Sequence, residues 1–369
     1  MKVQILTANL QTKLSFLNRG ISSKAQLPIL QNFLLETVED KIKLSSTDLE
    51  IGIEIFCPAK IEEEGQVTLP AKLFSELVNS LSDDVITLET NEHTLELQTK
   101  RTKSVFQTID SDEFPKLYEE KGEKLAVLEG KQIKNELSSV VFSASQDTTR
   151  PALSGILVRK EAEGFLLVAT DGYRLSLRHY KVTDSKIGES SSYIIPARVF
   201  RELLAMKEDN EDINMYISQQ NNQVLFEQGD TVLIGRLIEA EFPNFEKIIP
   251  SDFSVNVSFD REELLKAVKT CSVFARDSAN IIKLSLTKEH ITVSSGTSAI
   301  GENTVRVDAK LNGEENEIAF NARYLLDVLG NVEEKDMVFD MIGPLNPGVF
   351  KVQNDESFLH LIMPIRVQG

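Results

Sequence analysis

PAKLFSEL, at residues 70–77, returns at residues 196–203 as PARVFREL, with five of the eight positions identical. A weaker echo, NARYLLDV, stands at 321–328. The offsets between successive copies are 126 and 125 residues. This spacing is the size of a small domain and is too long for one unit of a solenoid. The pattern therefore indicates a repeated domain.

Three further features recur in the same order. A leading helical segment appears as KLSFLNRG, KNELSSVVFSAS and EELLKAVKTCSVFAR, and an EFP or MP motif closes each copy. Between them lie the corners Thr47-Asp48, Thr170-Asp171 and Ser294-Ser295. Several features in one order, three times, indicate a triplication. We expect domains at 1–124, 125–252 and 253–369.

Each copy mixes two kinds of periodicity. Residues 51–57, IGIEIFC, alternate apolar and other side chains, which predicts a half-buried strand, and ITLETNEHTLELQT predicts a hairpin around Asn91-Glu92. Residues 71–81 and 131–145 carry apolar side chains on one helical face. The sequence thus predicts an α+β fold of three similar domains, with helices covering one face of antiparallel sheets.

Charge is unevenly distributed. The chain of 369 residues has a net charge of -17, which argues against nucleic-acid binding by the surface as a whole. The six predicted helical stretches nevertheless carry five more basic than acidic residues. The helices therefore form a mildly basic layer in an acidic protein, and such a layer could face phosphates.

The sequence contains none of the common catalytic or nucleotide-binding motifs that we searched for. No phosphate loop, dinucleotide fingerprint, zinc-protease motif or nucleophile elbow occurs, and the four histidines share no ligand-like spacing. The two cysteines lie far apart, so we expect neither a disulfide nor a metal site, and no cofactor. No apolar run is long enough for a membrane span, and the N-terminus has no signal-peptide pattern, so we expect a mature cytoplasmic protein.

Two alternative functions remain open from the residues alone. One is a three-domain protein-interaction scaffold without nucleic-acid binding, which predicts no positive charge concentrated on the helices. The other is an enzyme using Asp171 and Arg174, which would need a base or nucleophile partner that the sequence does not offer. An Asp before a Gly is more often a turn residue.

Nine segments together resemble the bacterial DNA polymerase sliding clamp, the β subunit of the replicative polymerase, over essentially the whole chain. They are LPILQNFLLE (27–36), VTLPAKLF (67–74), FQTIDSDEFP (106–115), TRPALSGILV (149–158), VATDGYRLSL (168–177), YIIPARVF (193–200), EFPNFEKIIP (241–250), FNARYLLDVL (320–329) and LIMPIR (361–366). The chain departs from the family at Pro151-Ala152, where some members carry a DNA-contacting aromatic pair, and in the extra tail residues 367–369.

The resemblance implies a clamp fold in which two subunits close head to tail into a ring, with helices lining the hole and sheets outside. Such a homodimer encircles double-stranded DNA without sequence specificity and acts as a processivity factor, not an enzyme. The implied partners are the replicative DNA polymerase, an ATP-dependent clamp loader, and other replication and repair proteins that bind through short peptides. The implied location is the cytoplasm, at the nucleoid.

The resemblance also assigns residues to three surfaces. The residues that match the family's peptide pocket are Arg150, Leu153, Thr170, Gly172, Tyr173, Arg174, Leu175, Pro243, Ile248, Tyr324, Met363, Pro364, Ile365 and Arg366. The expected DNA-facing residues are Lys24, Lys72, Arg198 and Arg323, of which the last three follow the Ala that opens the second helix of each copy. The expected dimer patches are Phe106 in the first copy and Val273 with Phe274 in the third.

The second corner differs from the other two. It carries Tyr173 and Arg174, whereas the corresponding residues are expected to be Leu49-Glu50 and Gly296-Thr297. The fold itself therefore does not require an aromatic residue and an arginine at this corner. We interpret the pair as one wall of the peptide pocket, an apolar cleft rimmed by Arg and Tyr donors.

Overall fold

The computed structural model describes residues 1–22, 27–182, 191–206, 211–276, 279–297 and 301–366. The six predicted helices are all present there. They are α1 (Thr7–Leu17), α2 (Ala71–Ser80), α3 (Gly130–Val141), α4 (Ala197–Leu204), α5 (Arg261–Ala275) and α6 (Ala322–Asn331).

The strands confirm the triplication, because each copy runs strand, helix, four strands, helix, three strands. The first copy has β1 (Lys2–Leu6), β2 (Asn32–Val38), β3 (Lys41–Thr47), β4 (Ile51–Glu63), β5 (Gln66–Pro70), β6 (Val85–Asn91), β7 (Thr94–Gln98) and β8 (Lys103–Gln107). The second has β9 (Glu123–Leu128), β10 (Gly155–Glu161), β11 (Gly164–Thr170), β12 (Arg174–Lys181), β13 (Ser192–Pro196), β14 (Ile213–Ser218), β15 (Gln223–Gln228) and β16 (Thr231–Arg236). The third has β17 (Val255–Asp260), β18 (Ile281–Leu286), β19 (His290–Thr297), β20 (Gly301–Gly313), β21 (Asn316–Asn321), β22 (Asp336–Met341), β23 (Gly348–Val352) and β24 (Asp355–Ile362).

The chain divides into two compact units. The first contains Met1–Gln132 and Arg198–Leu237, and the second contains most of the remainder. Each unit holds one antiparallel sheet of 12 strands, built from all eight strands of an outer copy and four strands of the central copy. In the first unit β4 pairs with β16, and in the second β12 pairs with β24. The expected boundary after residue 124 falls inside β9, since Lys124 already pairs with Tyr216 of β14.

Helix packing follows the apolar periodicity. In the second unit α5 contributes Leu264 and Val268, and α6 contributes Leu325 and Val328, to a core shared with the strands of the third copy. Each such side chain contributes roughly 1.5–3 kcal/mol when fully buried. Asp260 caps α5 by accepting the backbone N–H groups of Glu262 and Glu263, so the helix begins where the apolar pattern does.

The strand predicted at residues 51–57 is more buried than its alternation suggests. Glu54, on the face expected to be solvated, is 4% exposed. Tyr118 covers it and donates its hydroxyl to the Glu54 carboxylate at 2.8 Å. On the same face, a β-carbon at Gly52 would lie 3.2 Å from the Leu117 side chain. The segment after the last strand of the first copy therefore folds back over this strand, which alternation alone does not reveal.

Candidate functional site

The corner between β11 and β12 is built by two side chains. The Thr170 hydroxyl donates to the Arg174 carbonyl oxygen at 2.6 Å and accepts the Gly172 N–H at 3.1 Å. Asp171 accepts the N–H groups of Tyr173 and Arg174 at 2.9 and 3.0 Å. Gly172 has φ 92, a conformation that favours glycine. The turn leaves Tyr173 64% exposed and directs Arg174 inward, to 8% exposed.

The first copy repeats this corner bond for bond. The Thr47 hydroxyl donates to the Ile51 carbonyl oxygen at 2.7 Å and accepts the Leu49 N–H at 3.0 Å. Asp48 accepts the N–H groups of Glu50 and Ile51. Glu50 and Ile51 therefore occupy the positions of the tyrosine and the arginine, so the expected correspondence with Leu49-Glu50 is wrong by one residue.

The third copy does not form the corner at the expected place. Ser294 and Ser295 lie inside the β19–β20 pairing, opposite Thr304 and Asn303, because β19 continues to Thr297. Residues 298–300, between β19 and β20 in sequence, lie outside the described residues.

Arg174 is fully engaged inside the second unit. Its Nε donates to Asp171 at 3.0 Å, its Nη1 to the Asp327 carboxylate of α6, and its Nη2 to the Phe142 carbonyl oxygen at 2.7 Å. The guanidinium carbon lies 4.6 Å from the centre of the Tyr324 ring and 5.5 Å from that of Phe142. Arg174 therefore ties the corner to α6 and to the end of α3. Its expected role as a donor on the rim of a pocket does not fit this geometry.

Tyr324 lies against this arginine. Burial, and then the nearby Asp171 carboxylate, raise the pKa of its hydroxyl, and Arg174 opposes them. Tyr324 is half-buried and remains neutral at physiological pH. It contributes an aromatic face to the junction between the corner and α6.

The same face of β12 carries a buried polar stripe that sequence reasoning missed. Ser176 is hydrogen-bonded to Ser143 at 2.8 Å and to His360 Nδ1 at 2.7 Å. Two residues further along, Arg178 binds the Glu136 carboxylate and, at 3.0 Å, that of Asp355. The sequence RLSLR (174–178) does indicate this stripe, because its Arg, Ser and Arg alternate with Leu. Polar residues at every second position of an otherwise apolar strand share one face.

His360 is the most buried titratable group of this stripe. It is 0% exposed, and burial, reinforced by the charge of Arg174, holds its pKa well below the usual value of 6.5. Its Nε2 has no hydrogen-bond partner among the described residues. The imidazole is therefore neutral and contributes to packing beside Phe142, whose ring centre is 5.3 Å away.

An exposed apolar surface lies outside this stripe. Tyr173 is 64%, Ile248 46% and Met363 40% exposed. The Met363 N–H donates to the Tyr173 carbonyl oxygen at 2.8 Å, which fixes the two residues side by side. Ile365 continues the tail by donating its N–H to the Ala319 carbonyl oxygen, also at 2.8 Å. We call Tyr173 and Met363 the docking surface.

The other expected pocket residues fall around and beneath it. Leu175 is fully buried in an apolar cluster, because it points to the face of β12 opposite Arg174, and so it can only support the surface from below. Pro243 and Ile248 flank Phe245, which belongs to the same cluster. A β-carbon at Gly172 would lie 3.9 Å from Arg150 Nη1. Leu153, Pro364 and Ile365 are half-buried, Arg150, Pro243 and Arg366 are exposed, and Thr170 is buried.

The expected dimer residues differ in exposure. Phe106 is 3% exposed and packs edge-on against Phe74, with ring centres 5.9 Å apart. It belongs to the core of the first unit, so its assignment to an exposed patch is wrong. Its neighbour Val105 is 55% exposed on β8, the last strand of the first sheet. In the third copy Val273 is 59% exposed and Phe274 is half-buried.

The expected DNA-facing residues differ in their exposure and in their ion pairs. Lys72 and Arg323 are exposed and, as predicted, each follows the Ala that begins its helix. Arg198 holds the same position on α4, but it forms ion pairs with Asp48 and, at 3.1 Å, with Glu50. Its charge is largely neutralised within the chain. Lys24 lies outside the described residues.

Two exposed lysines on α5 were missed by the charge count. Lys266 and Lys269 stand three residues apart and share one side of the helix. The acidic first turn, Glu262 and Glu263, cancelled them in the net charge of the segment. A count by helical face would have found them.

The described ranges contain no group of three or more His, Cys, Asp or Glu side chains placed to hold a metal ion. Both cysteines are buried and free. None of the described helices combines the length and apolar character that crossing a membrane requires.

Three α+β repeats, each with two helices and eight antiparallel strands, define a DNA clamp fold. Three family models match in order: the N-terminal domain of the DNA polymerase III beta subunit at residues 1–118, its central domain at 127–244 and its C-terminal domain at 246–366. The chain belongs to this family, the beta sliding clamps, whose members are processivity factors and not enzymes.

Individual relatives agree. The beta sliding clamp of Synechococcus elongatus is 30% identical over 377 aligned residues, which cover 100% of both chains. That of Staphylococcus aureus strain Mu50 is also 30% identical and covers 96% of both. The crystal structure of the DNA polymerase sliding clamp from Bacillus subtilis superimposes with a TM-score of 0.94 at 28% identity, with 100% of each chain covered.

Proposed function

We propose that two copies of this chain close head to tail into a ring around duplex DNA. The ring tethers the replicative polymerase through the docking surface, and the clamp loader and other replication and repair proteins use the same surface in turn. An ATP-dependent loader opens the ring, and the assembly works in the cytoplasm at the nucleoid. DNA is held by topology, so weak phosphate attraction is sufficient.

The observation that carries the tethering proposal is the exposed apolar pair formed by Tyr173 and Met363. Large apolar side chains that stand together at a surface usually mark an interaction site. Met363 has a flexible, polarisable side chain that adapts to different apolar ligands. The hydrogen bond between their backbones fixes the spacing, so a bound peptide meets a preformed surface.

The tethering proposal is tested with a peptide that carries the clamp-binding segment of the host polymerase. Tyr173→Ala and Met363→Ala together are expected to weaken its binding by more than tenfold in a calorimetric titration. Leu345→Ala is the matched control, because Leu345 is 62% exposed in the same unit and lies outside the docking surface. Deletion of residues 363–369 is expected to abolish peptide binding while the dimer remains. Full affinity in the double variant would remove the peptide from this surface.

The ring proposal rests on two different patches. Strand β8 is the last strand of its sheet, so one of its edges is unpaired, and it carries the exposed Val105. In the third copy Phe274 lies beside Gly301 at the start of β20, where a β-carbon on the glycine would be 3.7 Å away. Two unlike patches joined by a two-fold rotation give a closed, heterologous ring.

Retention on DNA tests the ring. After loading, the protein is expected to stay on a circular plasmid through gel filtration and to dissociate once one cut linearises the plasmid. Equal dissociation from both forms would exclude topological linkage and favour a scaffold without a DNA role.

A further inference from the structure

A second cleft lies in the first unit, at the Thr47–Ile51 corner. It has a volume of about 180 Å³ and is lined by apolar and polar side chains from four separate segments. Its apolar lining includes Leu49, Ile51, Leu117 and Ile234. Its polar and charged lining includes Gln223, Arg236, Lys116 and Glu50, the last of which is paired with Arg198. We call it the first-unit cleft.

The first-unit cleft is the repeat-related counterpart of the docking surface. Arg236 donates its backbone N–H to the Glu50 carbonyl oxygen at 3.2 Å, as Met363 does to Tyr173 at 2.8 Å. The pairing of Gly235 with Ile51 corresponds to that of Ile362 with Arg174. Pro115 lines the cleft and ends an EFP tripeptide, and Pro243 ends the same tripeptide in the second copy. The triplication therefore forms the same surface feature in both units.

Leu49, in this cleft, has a backbone conformation that is unfavourable for leucine. It has φ 75, in the region that favours glycine, and the matching residue of the other corner is Gly172 at φ 92. Its side chain is nevertheless 55% exposed and lines the cleft. A residue held in a strained conformation that contributes little to the core is a candidate for a binding role.

Two polar side chains of the first-unit cleft, Arg236 and Gln223, differ in their accessibility to a ligand. Arg236 is exposed and forms no ion pair within the described residues. Gln223 donates its amide to the Leu117 carbonyl oxygen at 2.8 Å, and its buried Oε1 has no hydrogen-bond partner there. Because this oxygen is enclosed, Arg236 is the group through which the cleft can bind a charged ligand.

We propose that the first-unit cleft is a second peptide-binding site, specific for an apolar side chain next to a carboxylate. The apolar group packs on Leu49 and Leu117, beside which the buried Ile51 and Ile234 also line the cleft, and the carboxylate pairs with Arg236. This inference rests on the proposed function, because it extends peptide docking to a repeat-related site. The guanidinium at the cleft gives it a preference for acidic peptides.

The test uses the peptide acetyl-Gly-Leu-Glu-Leu-Gly-amide and its Gln counterpart, titrated to 10 mM. The protein is the full-length dimer with Tyr173→Ala and Met363→Ala, which removes the docking surface, and its leucine and isoleucine methyl groups are observed by NMR. We expect saturable shifts at Leu49, Ile51 and Ile234. Arg236→Gln is expected to weaken the Glu peptide by about two- to fivefold and to leave the Gln peptide unchanged.

Leu49→Gly separates binding from folding. It removes the apolar side chain and relieves the backbone strain, so the melting temperature is expected to stay the same or rise while binding of the Glu peptide falls by about fivefold or more. Leu73→Ala is the control, because Leu73 is 57% exposed in the same unit and does not line the cleft.

The absence of methyl shifts in the double variant overturns the proposal, as do shifts that do not depend on Arg236 or Leu49. Failure of the proposed function gives a different result. In that case the polymerase peptide would not respond to Tyr173→Ala and Met363→Ala in the otherwise native chain, while the cleft methyl groups would still shift with the Glu peptide.

Discussion

The guanidinium carbon of Arg174 lies 4.6 Å from the centre of the Tyr324 ring, and the arginine is 8% exposed. An arginine that sequence resemblance assigns to a binding surface is thus part of the interior. Its neighbour Tyr173 is exposed, so the two residues of this corner have separate tasks. Tyr173 is available to a ligand, and Arg174 holds the corner against α6.

Replacing Arg174 is expected to destabilise the fold. Arg174→Ala leaves the half-buried Asp171 carboxylate and the Asp327 carboxylate without their cation, and we expect a loss of about 3 kcal/mol in the free energy of unfolding. Urea denaturation at one fixed protein concentration measures this loss, since dimer stability depends on concentration. Tyr173→Ala should change stability by less than about 1 kcal/mol. Equal stabilities for the two variants would place Arg174 outside the folding core.

His360 makes stability depend on pH. Its folded-state pKa lies well below 6.5, so the unfolded chain binds the extra proton more readily than the folded chain. This contribution is fully present above pH 6.5 and is lost progressively as pH falls from there toward the folded-state pKa. Between pH 7.5 and 5.5 we expect the wild type to lose about 1.4 kcal/mol more than His360→Gln.

His179→Gln is the control for this measurement, because His179 is exposed, stands next to Tyr180 on the same strand and bonds to Glu161 at 2.7 Å. This variant measures how far the loss of an exposed imidazole from the same strand changes the profile. A wild-type profile that parallels that of His360→Gln would show that His360 is protonated in the folded chain.

Substitutions in the proposed dimer contact and in the core beneath it should have different effects. Phe274→Asp and Val105→Asp are expected to give folded monomers in light scattering, because each places a carboxylate in a patch of the proposed contact. Phe106→Ala should instead lower the free energy of unfolding by about 3–5 kcal/mol, since it removes a buried ring. Dimers that persist in both aspartate variants would refute the patch assignment.

The salt dependence of DNA binding should depend on the basic side chains that are not already paired with carboxylates. Lys72→Glu with Arg323→Glu is expected to reduce the slope of log affinity against log salt by roughly 0.9 for each phosphate that is no longer neutralised. Lys266→Glu with Lys269→Glu should act similarly. Arg198→Gln is expected to have a smaller effect, because Asp48 and Glu50 already pair with this guanidinium. Fluorescence anisotropy with a short duplex at low salt measures the slopes, and equal slopes for all variants would contradict the inner-face assignment.

Sequence reasoning succeeded where the signal was local or repeated. The six helices follow from apolar periodicity and from capping or opening residues such as Pro70, and the period of the repeat indicated the three copies. It was wrong where a residue-by-residue correspondence between copies depended on the pairing register of the strands. The match of Glu50 and Ile51 to the tyrosine and arginine depends on strand pairing, which a comparison of short motifs does not determine.

The sequence by itself determined the triplicated α+β organisation, the family and the neighbourhood of the docking surface. These depend on periodicity and on motif order, which are properties of the chain written in one dimension. The tertiary structure alone decided which side chains are available. Phe106, Leu175 and Arg174 are buried, and Arg198 is neutralised, because residues far away in sequence pack against them or carry the opposite charge. The first-unit cleft likewise depends on tertiary structure, since its lining comes from segments more than a hundred residues apart.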